Sequence, residues 1–131
     1  SDDEFFARSS VRSSVEAARN ALSDKIQYLT EFLGGEYEIQ GAYPAWEYRK
    51  ESPLRDKMVE VYETMYGQKP EVVAIHAGLE CGLFYKKIDG LDCVSLGPDM
   101  KDIHTSEEVL DIASTERVWK YLVKVLEELK D

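Results

Sequence analysis

The first half of the chain contains two stretches whose apolar residues recur every three or four positions, the pattern typical of amphipathic helices. The first stretch begins at a capping box formed by Ser13 and Glu16 and is predicted to end at Gly34-Gly35. The second begins at Ser52-Pro53, because serine suits the N-cap and proline suits the first helical position, and it is predicted to end at Gly67. Both helices therefore carry a start signal and a stop signal.

Two more helices are predicted in the second half of the chain. A short one runs from Leu79 to Lys87. The closing helix is predicted to begin with Ser114 as its N-cap. Its apolar stripe, which we expect to be buried, consists of Val118, Trp119, Leu122, Val125, Leu126 and Leu129.

Four segments outside these helices are predicted to be strands. Residues 5–12 form one, and the alternating polar and apolar pattern of residues 36–43 is typical of a half-buried strand. Residues 71–75 and 91–96 are largely apolar, as in strands buried on both faces of a parallel sheet that helices cover. Because strands and helices alternate along the chain, the predicted fold class is α/β.

Both histidines of the chain, His76 and His104, follow these apolar runs in loops that contain glycine. Open parallel sheets bind their ligands at the carboxyl ends of the strands, so both loops are candidate functional loops. Histidine beside carboxylates suits a metal site, a general base or an ordinary hydrogen-bond network, and the spacing alone favours none of these. His104 is the better candidate ligand because four acidic residues lie near it in sequence: Asp99, Asp102, Glu107 and Glu108.

Composition and charge narrow the class of protein. A chain of 131 residues with 44% hydrophobic residues suits one ordinary domain, and a net charge of -10 argues against binding to nucleic acid or to an anionic membrane. No apolar run is long enough for a membrane span, and we expect no signal peptide because no charged segment followed by an apolar stretch opens the sequence. The two cysteines, Cys81 and Cys93, have no CxxC spacing, so we expect reduced thiols in a cytoplasmic protein.

Several motifs resemble one family closely. From Arg12 to its last residue, the chain resembles the C-terminal part of the aminoacyl-histidine dipeptidases, also called peptidase D or β-alanyl-histidine dipeptidases, which belong to the co-catalytic zinc peptidases. The run from His76 to Gly82 is highly specific to that subgroup. The motifs that carry the resemblance are Arg12-Ser13-Ser14-Val15-Glu16 with Arg19, Gly41-Ala42-Tyr43-Pro44-Ala45-Trp46, Ile75 to Phe84, Ser95-Leu96-Gly97-Pro98 and His104-Thr105-Ser106-Glu107-Glu108.

The resemblance implies a metal site. His104 matches the family's last zinc ligand, in an active site that holds two zinc ions when complete, with manganese or cobalt as alternative metals. Glu108 matches an acidic residue that orients the ligand loop without binding the metal. The alternative for Glu108 is a solvated carboxylate at a helix start.

The resemblance also implies a substrate site for a small dipeptide. Arg12 matches the arginine expected to bind the C-terminal carboxylate of the substrate, because a guanidinium can donate two parallel hydrogen bonds. Arg8 is the competing candidate if the register slips. Gly78 and Glu80 are expected to line the substrate pocket.

The implied architecture divides the chain at about residue 48. Residues 1–48 resemble the last strand-helix-strand of a lid domain of the dimerisation type. Residues 49–131 resemble the C-terminal segment of a three-layer αβα catalytic domain. The remaining metal ligands and the general base of the family have no counterpart here, so no catalytic residue is assigned. We expect an inactive fragment whose partner is the missing N-terminal part of the same enzyme, and a homodimer is a further expectation.

Two alternatives come from other functional classes. A stand-alone binding or self-association domain made from the same segment would not respond to zinc. A self-contained enzyme using His76, His104 and Glu80 as its acid and base groups would act without added metal.

Overall fold

The structure is a computed structural model that describes residues 4–75 and 80–130. The chain divides into two compact units, residues 1–49 with 73–89 and residues 50–72 with 90–131. The described residues contain helices and a two-stranded antiparallel sheet, so the predicted α/β class is confirmed. In chain order the elements are α1 (Glu16–Phe32), α2 (Pro53–Tyr66), α3 (Glu80–Lys87), β1 (Met100–Lys101), β2 (Val109–Leu110) and α4 (Ile112–Glu128).

In the first unit, α1 begins without the predicted capping box. Val15 occupies the N-cap position, and its own N–H donates to the Ser13 hydroxyl at 3.1 Å. The Glu16 side chain pairs with Arg19 at 3.1 Å instead of reaching back to the cap. The Glu16 N–H is bound by the carboxylate of Glu47, also at 3.1 Å. The cap therefore comes from a residue distant in sequence, which a local motif could not predict.

The predicted end of α1 is confirmed. Leu33 is the C-cap, and Gly34 follows with φ +81°, a conformation that glycine adopts without the steric cost a Cβ brings. The apolar stripe of α1 is not covered, however: Phe32 is 86% exposed and Leu33 is 73% exposed. No α1 residue is buried in the described part of the chain.

Helix α3 lies close to residues 44–46 at Gly82. A Cβ at this position would lie 3.0 Å from the Pro44 carbonyl oxygen and 3.6 Å from the Trp46 Cβ. Glycine therefore allows the helix backbone to lie directly against residues 44–46. The start predicted for this helix, Leu79, lies outside the described residues.

In the second unit, α2 begins and ends where the sequence predicts. The Ser52 hydroxyl accepts the Arg55 N–H at 3.1 Å, Pro53 is the first helical residue, and Gly67 ends the helix with φ +71°. Asp92 binds the same helix start, since its carboxylate accepts the Ser52 hydroxyl at 2.7 Å and the Leu54 N–H at 3.0 Å. An acidic group at this helix end is favoured because unpaired N–H groups and the helix dipole converge there.

The core of the second unit lies between α2 and α4. Its buried members are Met58 and Val61 from α2 and Tyr121 and Val125 from α4. The Tyr121 hydroxyl donates to the Met58 carbonyl at 2.7 Å, and the Tyr121 ring meets the Tyr62 ring edge-on at 5.3 Å. The buried phenol thus has its hydrogen bond satisfied within an apolar cluster.

Helix α4 differs from its prediction in its start and in its buried face. Asp111, not Ser114, is the N-cap, and its carboxylate accepts the Ser114 N–H at 2.6 Å. Tyr121 is buried, whereas Trp119 is 65% exposed and Leu126 is 55% exposed. The helix has apolar residues on two faces, and only the face toward α2 is covered by described residues. Periodicity alone could not choose between them.

The four strands predicted at residues 5–12, 36–43, 71–75 and 91–96 do not form as strands in the described residues. An apolar run predicts burial, but a strand also needs a hydrogen-bonded neighbour. Residues 71–75 show the difference, since Val73 is 62% exposed. The division into a lid segment, residues 1–48, and a catalytic segment, residues 49–131, stays a prediction.

None of the helices that the structure describes is long and apolar enough to cross a membrane.

Candidate functional site

His104 lies on a small hairpin in the second unit. Strands β1 and β2 pair antiparallel, with Met100 opposite Leu110 and Lys101 opposite Val109. The connecting loop, residues 102–108, contains His104 and most of the acidic residues near it in sequence. This hairpin presents an exposed imidazole at the surface of the unit.

The loop backbone has an unusual conformation for residues with side chains. Asp102 has φ +51° and His104 has φ +67°, both in the left-handed region. Such residues cost about 1–3 kcal/mol each and persist where the surroundings impose them. A turn from Asp102 to Thr105 helps to impose this conformation. Thr105 donates both its N–H and its hydroxyl to the Asp102 carbonyl, at 3.1 and 2.6 Å.

Glu108 contacts His104 directly. Its carboxylate accepts the His104 backbone N–H at 2.7 Å. The bond reaches the backbone and not the ring, so it fixes the peptide that carries the imidazole. A role in orienting the loop remains a prediction, and this bond is the geometry on which such a role would depend.

The base of the hairpin is joined to α4. Asp99, before β1, accepts the Asp111 N–H at 3.0 Å through its carbonyl, and its own N–H donates to the Ser114 hydroxyl at 2.8 Å. The Ser114 hydroxyl donates to the Asp111 carbonyl at 2.8 Å. Sequence reasoning missed this network. Its sequence signal is Asp111 three residues before Ser114, a spacing typical of a helix N-cap, whereas the prediction from sequence considers Ser114 alone.

The described residues do not complete a metal site. Within residues 4–75 and 80–130, no group of three or more His, Cys, Asp or Glu side chains could hold a metal ion. The acidic residues near His104 in sequence therefore do not converge on it as a ligand set. His104 fits the role of a single ligand, because its imidazole is exposed and its peptide is held. His76 lies outside the described residues.

Arg12 and Glu80, two of the predicted substrate-binding residues, lie in the first unit, whereas His104 and Glu108 lie in the second. Arg12 is exposed, and its Nε donates to the Ser10 hydroxyl at 3.3 Å. The competing Arg8 lies over the Phe6 ring, 5.8 Å from its centre. Glu80 is exposed at the first position of α3, and Gly78 lies outside the described residues.

The first unit also has a shallow depression of about 170 Å³ at the start of α1. Lys86 lies on one side of it, with its Nζ 3.7 Å from the Glu16 carboxylate. Its lining residues are Glu16, Pro44, Ala45, Glu47, Tyr85 and Lys86. None of these is a predicted site residue, and the Glu47 carboxylate already occupies the helix start there.

Comparisons with known proteins agree on one kind of relative. No protein-family model matches the chain. The cytosol non-specific dipeptidase of Escherichia coli K12 is 33% identical over 119 residues, which cover 91% of this chain and 24% of that protein. The crystal structure of an aminoacylhistidine dipeptidase from Vibrio alginolyticus matches with a TM-score of 0.73 and 34% identity, again covering 91% of this chain and 24% of the other.

The chain thus spans about a quarter of the length of the two dipeptidases it matches. Its sequence is similar to the Escherichia coli dipeptidase, and its fold to the Vibrio alginolyticus dipeptidase, over 91% of the chain in each case. The predicted resemblance to the C-terminal part of the aminoacyl-histidine dipeptidases is therefore confirmed.

Proposed function

We propose that this chain forms part of a metal-dependent dipeptidase that hydrolyses dipeptides with C-terminal histidine. The observation that carries the proposal is the conformation of the His104 loop. His104 is exposed, its backbone has φ +67°, and its backbone N–H donates to the Glu108 carboxylate. A left-handed non-glycine residue held by its neighbours is typical of functional loops. The loop occurs in a chain that is similar to two dipeptidases over 91% of its length.

In this proposal His104 contributes one ligand to a zinc site, or to a manganese or cobalt site. The other ligands come from outside the described residues, in the N-terminal part of the same enzyme. A metal bound there would polarise the scissile carbonyl and generate the attacking hydroxide from water. Glu108 contributes by holding the His104 peptide, which limits the positions from which the imidazole could bind a metal.

Arg12 is proposed to bind the C-terminal carboxylate of the dipeptide. Its guanidinium is exposed and can offer two parallel N–H donors to a carboxylate. Arg8 is the weaker candidate because its guanidinium already lies over the Phe6 ring. Glu80 and Gly78 are proposed to line the pocket around the substrate.

On this proposal the isolated chain is inactive, since the described residues supply one imidazole where catalytic zinc sites take about three protein ligands. The partner it needs is the N-terminal part of the enzyme, and pairing of two chains through the first unit is a further proposal. A cytoplasmic location is supported by the name of the Escherichia coli relative. The net charge of -10 supports the absence of nucleic-acid and membrane partners.

The test uses a chimera in which this chain replaces the matching segment of the Escherichia coli dipeptidase. We expect the chimera to hydrolyse a β-alanyl-histidine dipeptide in zinc-supplemented buffer and this chain alone to have no activity. His104→Ala should abolish hydrolysis and lower the zinc content of the purified chimera. Glu107→Ala, a change of an exposed loop neighbour, is the control and should preserve both.

Two results would contradict the proposal. Full activity and zinc content in the His104→Ala chimera would remove His104 from the metal site. Hydrolysis by this chain alone that is lost on His104→Ala would indicate the self-contained enzyme with His76, His104 and Glu80.

A stand-alone self-association domain is the second candidate, and the exposed apolar face of α1 favours it. Leu29, Phe32 and Leu33 are each more than 60% exposed. An uncovered apolar patch of this kind often marks a protein interface. This candidate predicts a concentration-dependent dimer whose melting temperature does not respond to zinc, which sedimentation and thermal unfolding would measure.

A further inference from the structure

Ser114 is a buried polar residue in the first turn of α4, with only 2% of its surface exposed. It makes three hydrogen bonds at the base of the β1–β2 hairpin. Its hydroxyl accepts the Asp99 N–H and donates to the Asp111 carbonyl, both at 2.8 Å, and its N–H donates to the Asp111 carboxylate at 2.6 Å. A buried hydroxyl with this set of partners links three pieces of backbone.

Those three pieces are the two ends of the hairpin and the start of α4. Asp99 immediately precedes β1 and Asp111 immediately follows β2. Their backbones also bond to each other, since the Asp111 N–H donates to the Asp99 carbonyl at 3.0 Å. Arg117 adds an ion pair to the Asp99 carboxylate at 3.0 Å, but both groups are exposed, so this pair contributes little.

The hairpin is too short to hold its own orientation. Each strand has two residues, and isolated two-stranded hairpins are marginal in water even when longer. Helix α4, in contrast, is fixed on α2 by the buried residues Tyr121 and Val125. The direction in which the hairpin presents its loop is therefore set where it joins α4, and that junction is at Ser114.

We propose that Ser114 is a positioning residue for His104. It transmits the fixed position of α4 through Asp99 and Asp111 to the loop that holds the imidazole. The inference rests on the proposed function only for the use of the imidazole as a ligand. The link between Ser114 and the loop can be measured in the chain without any metal.

Thr115 offers a matched control. Its hydroxyl donates to the same Asp111 carbonyl at 3.0 Å, but its side chain is exposed. The bond to Asp99 from this turn belongs to Ser114. Thr115→Ala therefore removes a hydrogen bond to the hairpin end while leaving the link to β1. Ser114→Thr keeps the hydroxyl and serves as the rescue variant.

The experiment measures amide hydrogen exchange by NMR in the full chain without metal. Ser114→Ala should speed exchange at Asp99, Asp111 and His104 by roughly tenfold or more, because the Asp99 N–H loses its acceptor. Exchange at Met58 and Tyr121 in the core should change by less than about twofold. Thr115→Ala should leave the His104 amide within about twofold of the parent, and Ser114→Thr should restore its protection.

The proposal is overturned if Ser114→Ala leaves the His104 amide as protected as in the parent chain. It is also overturned if Thr115→Ala speeds the His104 amide as much as Ser114→Ala does, or if the loss in Ser114→Ala extends equally through the core. A failure of the proposed function looks different. The chimera with His104→Ala would keep its zinc, while the exchange pattern of the Ser114 variants would be unaffected.

Discussion

The backbone N–H of His104 and the carboxylate of Glu108 are joined by a 2.7 Å hydrogen bond across a loop whose histidine has φ +67°. A negatively charged acceptor makes this bond stronger than one between neutral groups. It stabilises a backbone conformation that a non-glycine residue rarely adopts on its own. The position of the imidazole therefore depends on a side chain four residues away.

Glu108→Ala should loosen the loop without unfolding the protein. We expect a loss of about 1 kcal/mol in the local opening free energy at His104, because one exposed charge-assisted hydrogen bond is removed. Glu108→Gln keeps an oxygen acceptor and should lose less. Amide exchange at His104 measures both. Glu107→Ala is the control, and a loss in this control as large as in Glu108→Ala would contradict the assignment.

Tyr121→Phe should lower the free energy of unfolding of the second unit by about 1 kcal/mol, since it deletes the 2.7 Å bond to the Met58 carbonyl and leaves the ring in place. Urea denaturation measures the change. Tyr28→Phe, at a residue 68% exposed, should stay within about 0.5 kcal/mol of the parent. Equal unfolding midpoints for the two variants would mean that the buried bond contributes nothing.

Alkaline pH should destabilise the second unit through the same residue. Burial raises the pKa of Tyr121 above its ordinary value, and the neighbouring Tyr62 and Tyr66 raise it further. In the unfolded chain the Tyr121 phenol ionises near pH 10, whereas in the folded chain it keeps its proton to higher pH. The free energy of unfolding is therefore lost as the pH rises from about 10 through the folded pKa. Tyr121→Phe should show a shallower decline in unfolding free energy above about pH 10. Parallel declines would contradict the prediction.

Gly67→Ala should destabilise α2 by about 1 kcal/mol, because alanine must adopt φ +71° at the helix end. No atom lies within 4 Å of the added Cβ, so the cost comes from backbone conformation alone. Gly97→Ala is the matched control. Its added Cβ also meets nothing within 4 Å, but Gly97 is not among the residues with positive φ. Its midpoint in urea should equal or exceed that of the parent.

The sequence predicts those parts of the fold that local chemistry determines. Helix α2 is an example, because Ser52, Pro53 and Gly67 each act within one turn of the backbone they terminate. Helix α1 shows the limit, since its start is bound by Glu47, which is distant in sequence. The strand predictions are wrong for the same reason. The apolar run at residues 71–75 specifies hydrophobic side chains, but it does not specify the hydrogen-bonded neighbour that a strand needs.

The candidate site also has parts that the sequence predicts and parts that it does not. His104 is identifiable as a candidate ligand from the acidic residues near it in sequence, whereas the role of Glu108 is implied only by the family resemblance. The left-handed backbone at Asp102 and His104 could not be read from the sequence, because aspartate and histidine adopt it more often than most non-glycine residues but still in only a small share of their positions. Ser114 was noticed as a helix cap, but its bond to Asp99 spans the whole hairpin and has no local pattern.

The two tryptophans are divided between the two units, Trp46 in the first and Trp119 in the second. Trp46 is half-buried beside Gly82, whereas Trp119 is 65% exposed. A red shift in fluorescence emission on denaturation will therefore come chiefly from Trp46 and report on the first unit. The packed Tyr62 and Tyr121 rings of the second unit contribute to near-ultraviolet circular dichroism, together with the aromatic residues of the first unit. A difference between the fluorescence and circular dichroism transitions in one sample would therefore show that the two units unfold separately.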